Sequence, residues 1–195
     1  MPRPFRFASA ALIAIGAAAI LSFGASAQTM GTPERYTASA FNLNNGRTGT
    51  IDITINRWST DKQRDALMAV VVEKGPEKLL DALQDMPAMG HFGAPGNLSW
   101  DIHFARKMPL ADGGERVVLI TDRRINFWEA RNQPRSIDYP FTVIELHLNR
   151  DGEGEGKMSI ATKVIYDKKE NMITLENFQT TPVQLTNVKR ERVTH

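Results

Sequence analysis

The chain has 195 residues, 24 of them Lys or Arg and 22 Asp or Glu, and it contains no cysteine. The absence of cysteine excludes disulfide bonds, thiolate metal sites and lipid attachment at a cysteine. Two of the basic residues, Arg3 and Arg6, lie within residues 1–27, so the remainder carries 22 basic and 22 acidic residues. A formally neutral domain lacks the strongly basic face of a nucleic-acid-binding protein, so we expect no DNA or RNA partner.

Residues 1–27 have the pattern of a secretory signal peptide. Basic residues precede an apolar run from Phe7 to Phe23, and Ala25 and Ala27 are the small residues that signal peptidase accepts. We therefore expect cleavage before Gln28 and a periplasmic or secreted mature chain with no membrane span. The alternative is an uncleaved anchor, because the apolar run is only slightly shorter than the roughly 20 residues of a spanning helix.

A β-hairpin is predicted directly after a flexible lead-in over residues 28–35. Strand-like runs over Tyr36–Leu43 and Arg47–Trp58 flank the pair Asn45 and Gly46. This pair favours a type I′ turn, in which both central residues have positive φ. Isoleucines alternate with polar residues in the second run, which predicts one buried and one solvated face.

A helical hairpin is predicted over residues 60–86. Thr60 and Gln63 have the spacing of a capping box, and an apolar stripe at helical period follows. Gly75 followed by Pro76 ends one helix and starts the next. The alternative of a DNA-binding helix-turn-helix is disfavoured, because the second helix is mainly acidic and phosphates would repel it.

Strand patterns return after the helices and continue to the end of the chain. The predicted strands are residues 98–105, Arg116–Thr121, Phe141–Leu148, Lys157–Tyr166, Met172–Phe178 and Val183–Val188. Short connectors, including an acidic glycine-rich turn at Asp151–Gly156, predict antiparallel pairing of consecutive strands. The predicted fold is a single α+β domain over 36–195, mainly antiparallel β. It has about eight strands in a twisted sheet or partly closed barrel, with the helical hairpin inserted.

Four stretches of the chain resemble a family of uncharacterised exported bacterial proteins. They are Asn42–Asn56, Trp58–Leu83, Thr121–Leu146 and Gly152–Leu185, and together they span nearly the whole mature chain. The resemblance implies an exported domain, and it carries no activity or site residue. Size and leader are also similar to those of calycin-type and other small secreted ligand-binding barrels, an analogy that concerns architecture alone.

A long irregular segment, residues 122–140, is the first candidate for a binding site, since such loops on rigid scaffolds often carry function. Its candidate ligand-binding residues are Arg123, Arg124, Trp128, Arg131, Arg135 and Tyr139. Arginines beside aromatic residues suit carboxylate, phosphate or sugar ligands, and equally protein partners. The alternative is that Asp122, Glu129 and Asp138 pair with these arginines and that the loop only seals the core.

A cluster of histidines and carboxylates is the second candidate. Asp101 and His103 share a strand face, as do Glu145 and His147, and pairing of the two strands would create a metal or acid/base site. The other reading is that all four lie on solvated faces. Further candidates are a calcium contact at Asp151–Gly156 and a copper site. The copper ligands would be Met86, Met89, His91, His103 and Met108.

The sequence favours an exported, non-enzymatic domain that binds a ligand or partner at the 122–140 end of the sheet. It contains no nucleophile elbow and no zinc-protease motif, and we expect no cofactor. The alternatives are a metal-dependent or acid/base hydrolase using the histidine and carboxylate cluster, and a structural envelope protein. The partner would be a small molecule or an envelope protein.

Overall fold

The computed structural model describes residues 33–123, 131–178 and 181–191, and these form a mainly antiparallel β structure with a small helical insertion. The strands are β1 (Glu34–Asn42), β2 (Arg47–Ile55), β3 (Gly90–Gly93), β4 (Trp100–Ile102), β5 (Phe104–Pro109), β6 (Glu115–Asp122), β7 (Phe141–Leu148), β8 (Glu153–Asp167), β9 (Met172–Asn177) and β10 (Val183–Glu191). The helices are α1 (Asp61–Ala69) and α2 (Leu79–Gln84). The predicted signal peptide and residues 28–32 of the predicted lead-in lie outside the described residues.

The first hairpin, β1 with β2, is confirmed, but its turn is not the predicted one. Asn42 pairs with Arg47, so the loop has four residues, and Gly46 alone among them has positive φ, at 68°. The amides of Asn45 and Gly46 both donate to the carbonyl of Asn42. A four-residue loop built around these bonds needs only one left-handed residue, so the type I′ prediction was wrong.

The helical insertion is confirmed, including its capping box. The hydroxyl of Thr60 accepts the amide of Gln63 at 3.2 Å, and the side chain of Gln63 accepts the amide of Thr60 at 2.9 Å. A π-helical turn, Val70–Lys74, ends α1, and Gly75 has a φ of 100° that a side chain would disfavour. The chain then enters α2 through a 3₁₀ turn, Pro76–Lys78.

The strands form a nearly closed barrel. Their order is β4-β3-β2-β1-β10-β8-β7-β6-β5, with β9 paired to β8 off this path. The two strands that end the path, β4 and β5, are consecutive in the chain and meet at a corner at His103. There the amide of His103 donates to the carbonyl of Ile120, and the hydroxyl of Thr121 donates to the carbonyl of Asp101. These bonds join the two ends of the sheet.

The prediction of one strand over residues 98–105 was therefore wrong. Leu98 precedes the start of β4, and the corner at His103 divides the remainder into two strands. The sequence hides the corner because the apolar pattern continues through it: Ile102 and Ala105 face the barrel interior, while Phe104 packs outside.

Two apolar cores lie on opposite sides of the barrel wall. The inner core fills the barrel with residues from its strands and includes Tyr36, Ile53 and Leu146, all fully buried. The outer core lies between the wall and the helical insertion, where Val71 and Leu83 join a cluster that includes Phe104, Phe141, Val143 and Val164. As predicted, β6 is apolar on both faces, because Val117 and Leu119 face inward while Ile120 packs against the outer core.

The C-terminal strands do not form the predicted simple meander. The first half of β8 pairs with β7 and β10, and its second half pairs with β9. Thus β10 does not follow β9 in the sheet but lies between β8 and β1. β10 also contains a bulge between Leu185 and Val188, in which Asn187 has a φ of 50°, and it runs past the predicted end to Glu191.

The acidic glycine-rich run is mostly strand and not a turn. The turn spans Asn149 to Gly152, and β8 begins at Glu153. A Cβ at Gly154 or Gly156 would collide with a carbonyl of β7. Glycine at these two positions therefore permits close approach of the strands, a role that the sequence pattern does not reveal.

Candidate ligand-binding site

Arg123 braces the loop that follows β6. Its amide donates to the carbonyl of Pro140 at 2.7 Å, and its guanidinium donates to the carbonyls of Tyr139 at 3.1 Å and Ser136 at 2.8 Å. These contacts hold the 3₁₀ helix Pro134–Asp138 against the end of the barrel. Arg123 therefore stabilises the loop through backbone carbonyls.

Tyr139 attaches the same loop to the β8–β9 hairpin. Its hydroxyl donates to Glu176, its ring packs against Phe178 with centroids 5.0 Å apart, and Lys163 lies 6.0 Å from its centroid. The hydrogen bond to Glu176, with burial adding to it, raises the pKa of Tyr139 above its ordinary value. In the described part of the loop, Tyr139 therefore attaches the loop to the β8–β9 hairpin by packing and by a hydrogen bond.

The remaining predicted loop residues are only partly described. Arg131 and Arg135 are exposed, and Arg135 is near enough to Tyr139 for its charge to act on that hydroxyl. Arg124 and Trp128 lie outside the described residues. The predicted ligand site made of these residues therefore stays a prediction.

The histidine and carboxylate candidates are not brought together. The Nδ1 of His103 lies 3.0 Å from the carbonyl of Met86, and its Nε2 lies 3.8 Å from Asp122. Glu145 and His147 are on β7, which β6 separates from β5, so the predicted pairing of the two strands does not occur. Among the described residues no group of three or more histidines, aspartates or glutamates is placed to hold a metal.

Glu145 belongs to an ion-pair network on the outer face of the barrel. It contacts Arg116 at 2.8 Å, His147 at 2.8 Å and Lys157 at 3.3 Å. Burial raises its pKa, but the hydrogen bond from His147 and the charges of Arg116 and Lys157 outweigh that effect and hold the pKa below its ordinary value. The network fits the reading in which Glu145 and His147 lie on a solvated face.

One end of the barrel is closed by a network of charged residues. The carboxylate of Glu34 accepts hydrogen bonds from Lys107 and from the hydroxyl of Tyr36, both at 2.6 Å. Arg190 binds Glu115 at 2.7 Å beside them. Burial, together with the bond to Glu34, raises the pKa of Tyr36 far above its ordinary value. These strand-end charges and the buried Tyr36 therefore pack together at this end of the barrel.

The opposite end carries an open cleft of about 440 Å³, here called the mouth cleft. It lies where β4 begins, β6 ends and β8 leaves the barrel. Its lining residues are Phe92, Leu98, Ser99, Trp100, Asp122, Arg123, Thr142, Met158 and Ile160. Phe92 and Met158 belong to the inner core, so the cleft is an opening into the apolar interior of the barrel.

Large apolar side chains are exposed in this cleft. Leu98 is 84% exposed, Trp100 is 40% exposed and Ile160 is 41% exposed. The ring of Trp100 stacks on Phe92 at 5.7 Å between centroids, which orients the indole. Contiguous exposed apolar side chains are uncommon on protein surfaces and mark binding sites.

The polar groups of the mouth cleft are mostly engaged within the protein. Asp122 accepts a hydrogen bond from Gln84 at 3.1 Å, the hydroxyl of Thr142 donates to the carbonyl of Ile160 at 2.9 Å, and Arg123 binds the loop carbonyls. Apolar surface is therefore what the cleft chiefly presents to a ligand.

Leu98, Trp100 and Ile160 were not predicted as site residues, because alternating apolar residues predict burial. A signal was nevertheless present. Residues 93–97, Gly-Ala-Pro-Gly-Asn, are strong turn formers, and the residues that follow such a turn lie at the end of a sheet, where burial is incomplete.

Comparison with protein-family models, with curated proteins and with solved structures found no match to this chain. Within the part of the chain that the structure describes, no helix has the length and apolar character needed to cross a membrane. The site must therefore be interpreted from its own geometry.

Proposed function

We propose that this protein is an exported binding protein that holds a small, mainly apolar ligand in the mouth cleft. The observation that supports the proposal is the exposure of Leu98, Trp100 and Ile160 at an opening into the apolar interior of the barrel. The mouths of β-barrels are common ligand sites, and about 440 Å³ is within the usual range of such sites.

The energetic argument rests on apolar burial. Covering a Leu, Ile or aromatic side chain that water now contacts contributes roughly 1.5–3 kcal/mol when burial is complete. A ligand that partly covers Leu98, Trp100 and Ile160 gains binding free energy from this apolar contact. The gain offsets part of the entropy that a small ligand loses on binding. Charged groups add little, because Asp122 and Arg123 already have partners within the protein.

The proposed location outside the cytoplasm depends on residues 1–27 alone, through their basic, apolar and small-residue order. Fractionation of cells that express the full chain tests it, with mass spectrometry of the recovered protein. Export with cleavage yields a periplasmic or secreted chain that starts at Gln28. A full-length chain in the cytoplasmic fraction would contradict the proposal.

Titration with N-phenyl-1-naphthylamine, a neutral apolar fluorophore, tests the binding site. We expect fluorescence enhancement with the wild-type protein and a loss of affinity of at least about tenfold in Leu98→Gln, which removes roughly one apolar side chain of binding energy. Leu98 is exposed, so the substitution leaves the fold intact, as circular dichroism would show.

Leu43→Gln is the matched control, because Leu43 is 54% exposed and does not line the mouth cleft. Its affinity should equal that of the wild type. A second apolar groove, between α1 and β9, is lined by Met68 and Leu175. Binding that is lost in Leu175→Gln but unchanged in Leu98→Gln would refute the assignment to the mouth cleft.

A further inference from the structure

A polar recess of about 300 Å³ lies on the outer face of the barrel. It adjoins the part of β3 and of the following loop that lines the mouth cleft. Arg35 on β1 pairs in register with Thr54 on β2, and Thr54 pairs with His91 on β3, so these three side chains form a row on one face. Asp52 lies two residues from Thr54 on the same face.

The loop between β3 and β4 forms the wall of the recess. The amide of Asn97 donates to the carbonyl of Ala94 at 3.1 Å, and Gly96 has a φ of 77°, which glycine adopts without strain. Gly93 lacks a side chain where one would press on Ser99. The loop therefore folds close to β3 and brings Asn97 and Ser99 to the rim.

Several hydrogen-bonding groups in the recess have no partner among the described residues. Within residues 33–123, 131–178 and 181–191, the side chains of Thr54, His91, Asn97 and Ser99 make no hydrogen bond or ion pair. Thr54 and His91 are half-buried. The four groups comprise hydroxyl, imidazole and amide, so the recess presents both donors and acceptors.

The charges around the recess disfavour an anion. Arg35 is already paired with Asp52 at 2.9 Å and with Glu191 at 3.4 Å. Asp101 lies directly across from His91 in the register. The lining therefore carries one guanidinium group and one carboxylate, and they are paired with each other, so the lining offers no unpaired guanidinium or ammonium group to a phosphate or carboxylate.

We propose that this recess binds a neutral polyhydroxylated ligand of the size of one sugar ring, at a site on the outer face of the barrel that shares the lining residue Ser99 with the mouth cleft. A hydroxyl group both donates and accepts hydrogen bonds, as the mixed and unpartnered groups of Thr54, His91, Asn97 and Ser99 require. A volume of about 300 Å³ is at the lower end of the range for small-molecule sites. About four neutral hydrogen bonds on an open surface correspond to a dissociation constant of about 1 mM.

Titration of ¹⁵N-labelled protein with methyl α-D-glucopyranoside, followed by amide chemical shifts, tests the proposal. We expect saturable shifts at the amides of residues 52–54 and 91–99, with inorganic phosphate producing none there. Thr54→Val, which keeps the shape and removes the hydroxyl, should weaken binding about fivefold, and Asn97→Ala should weaken it similarly.

The matched control is Thr174→Val on β9, where Thr174 is exposed and remote from the recess, and it should bind the sugar as the wild type does. Absence of shifts with the sugar, shifts with phosphate alone, or equal affinity in Thr54→Val would each overturn the proposal. N-phenyl-1-naphthylamine binding should be unchanged in Thr54→Val, so this test and that of the mouth cleft succeed or fail separately.

Discussion

Tyr36→Phe should destabilise the protein by about 2 kcal/mol at neutral pH. Tyr36 is 0% exposed, and its hydroxyl donates to the carboxylate of Glu34 at 2.6 Å. Hydrogen bonds to charged groups contribute roughly 1.5–3 kcal/mol, and Phe fills the same space, so no cavity adds to the loss. Urea unfolding monitored by circular dichroism measures the change, and a shift in Tm of about 4–8 °C should accompany it.

The same substitution predicts a specific pH dependence. Burial raises the pKa of Glu34, but the hydrogen bonds from Lys107 and Tyr36 outweigh it and hold the pKa below the ordinary value of 4.5. The unfolded chain therefore takes up this proton first as the pH falls. The stabilisation is full above pH 4.5 and is lost as the pH falls through the folded-state pKa. The difference between wild type and Tyr36→Phe should shrink over that interval.

Tyr166→Phe is the matched control for this experiment. The hydroxyl of Tyr166 also donates a hydrogen bond, to Asn171 at 2.9 Å, but the pair is exposed. The control should change stability by less than about 0.5 kcal/mol. If Tyr36→Phe costs no more than the control, or if its effect is the same in acid as at neutral pH, the reasoning about the closed end of the barrel is wrong.

Three further predictions concern the barrel wall, the outer core and the loop. Gly154→Ala should cost about 1–3 kcal/mol in urea unfolding, because its Cβ would collide with a carbonyl of β7; a neutral effect would contradict the close approach. Leu83→Ala should lower the free energy of unfolding by about 2–5 kcal/mol in the same measurement, because Leu83 is buried. Its control is Met68→Ala in the same insertion. Met68 is exposed, so this substitution should lower the free energy of unfolding by less than half as much. Arg123→Ala should accelerate amide hydrogen exchange in the 3₁₀ helix Pro134–Asp138; unchanged exchange would refute the role of Arg123 as a brace.

The sequence predicts those parts of the fold that local chemistry determines. Thr60 and Gln63 specify the start of the insertion through backbone contacts within one turn, and Gly75 with Pro76 divides it. The isoleucines of β2 predict its buried face, because alternation along a strand is a local property. Fold class and most strands follow from such patterns.

The parts that the sequence does not predict depend on contacts between distant segments. The corner at His103 exists because the two ends of the sheet meet there. The alternation of apolar and polar residues over 98–105 continues through the corner and so does not predict it. The position of β10 beside β8 and β1 likewise depends on the length of β8, which pairs with β10 along its first half and with β9 along its second half. Short connectors favour pairing of neighbours, and here the first half of β8 is paired with β10 instead.

The same division applies to the candidate site. Arg123 and Tyr139 were identified from their residue types, but the structure shows that backbone carbonyls and Glu176 engage them. Leu98 and Trp100 were expected to be buried, and they are exposed because the sheet ends at the mouth cleft. Residue type predicts what a side chain can bind, whereas exposure depends on the closure of the barrel.

The pairing of β1 with β10 has a consequence for how the chain folds. These are the first and last strands that the structure describes, and they are neighbours in the middle of the sheet order. The hydrogen bonds between β1 and β10 therefore cannot form until β10 has left the ribosome. Such long-range pairing slows folding, and it leaves an unfolded chain available for longer to any machinery that threads polypeptides through a narrow pore.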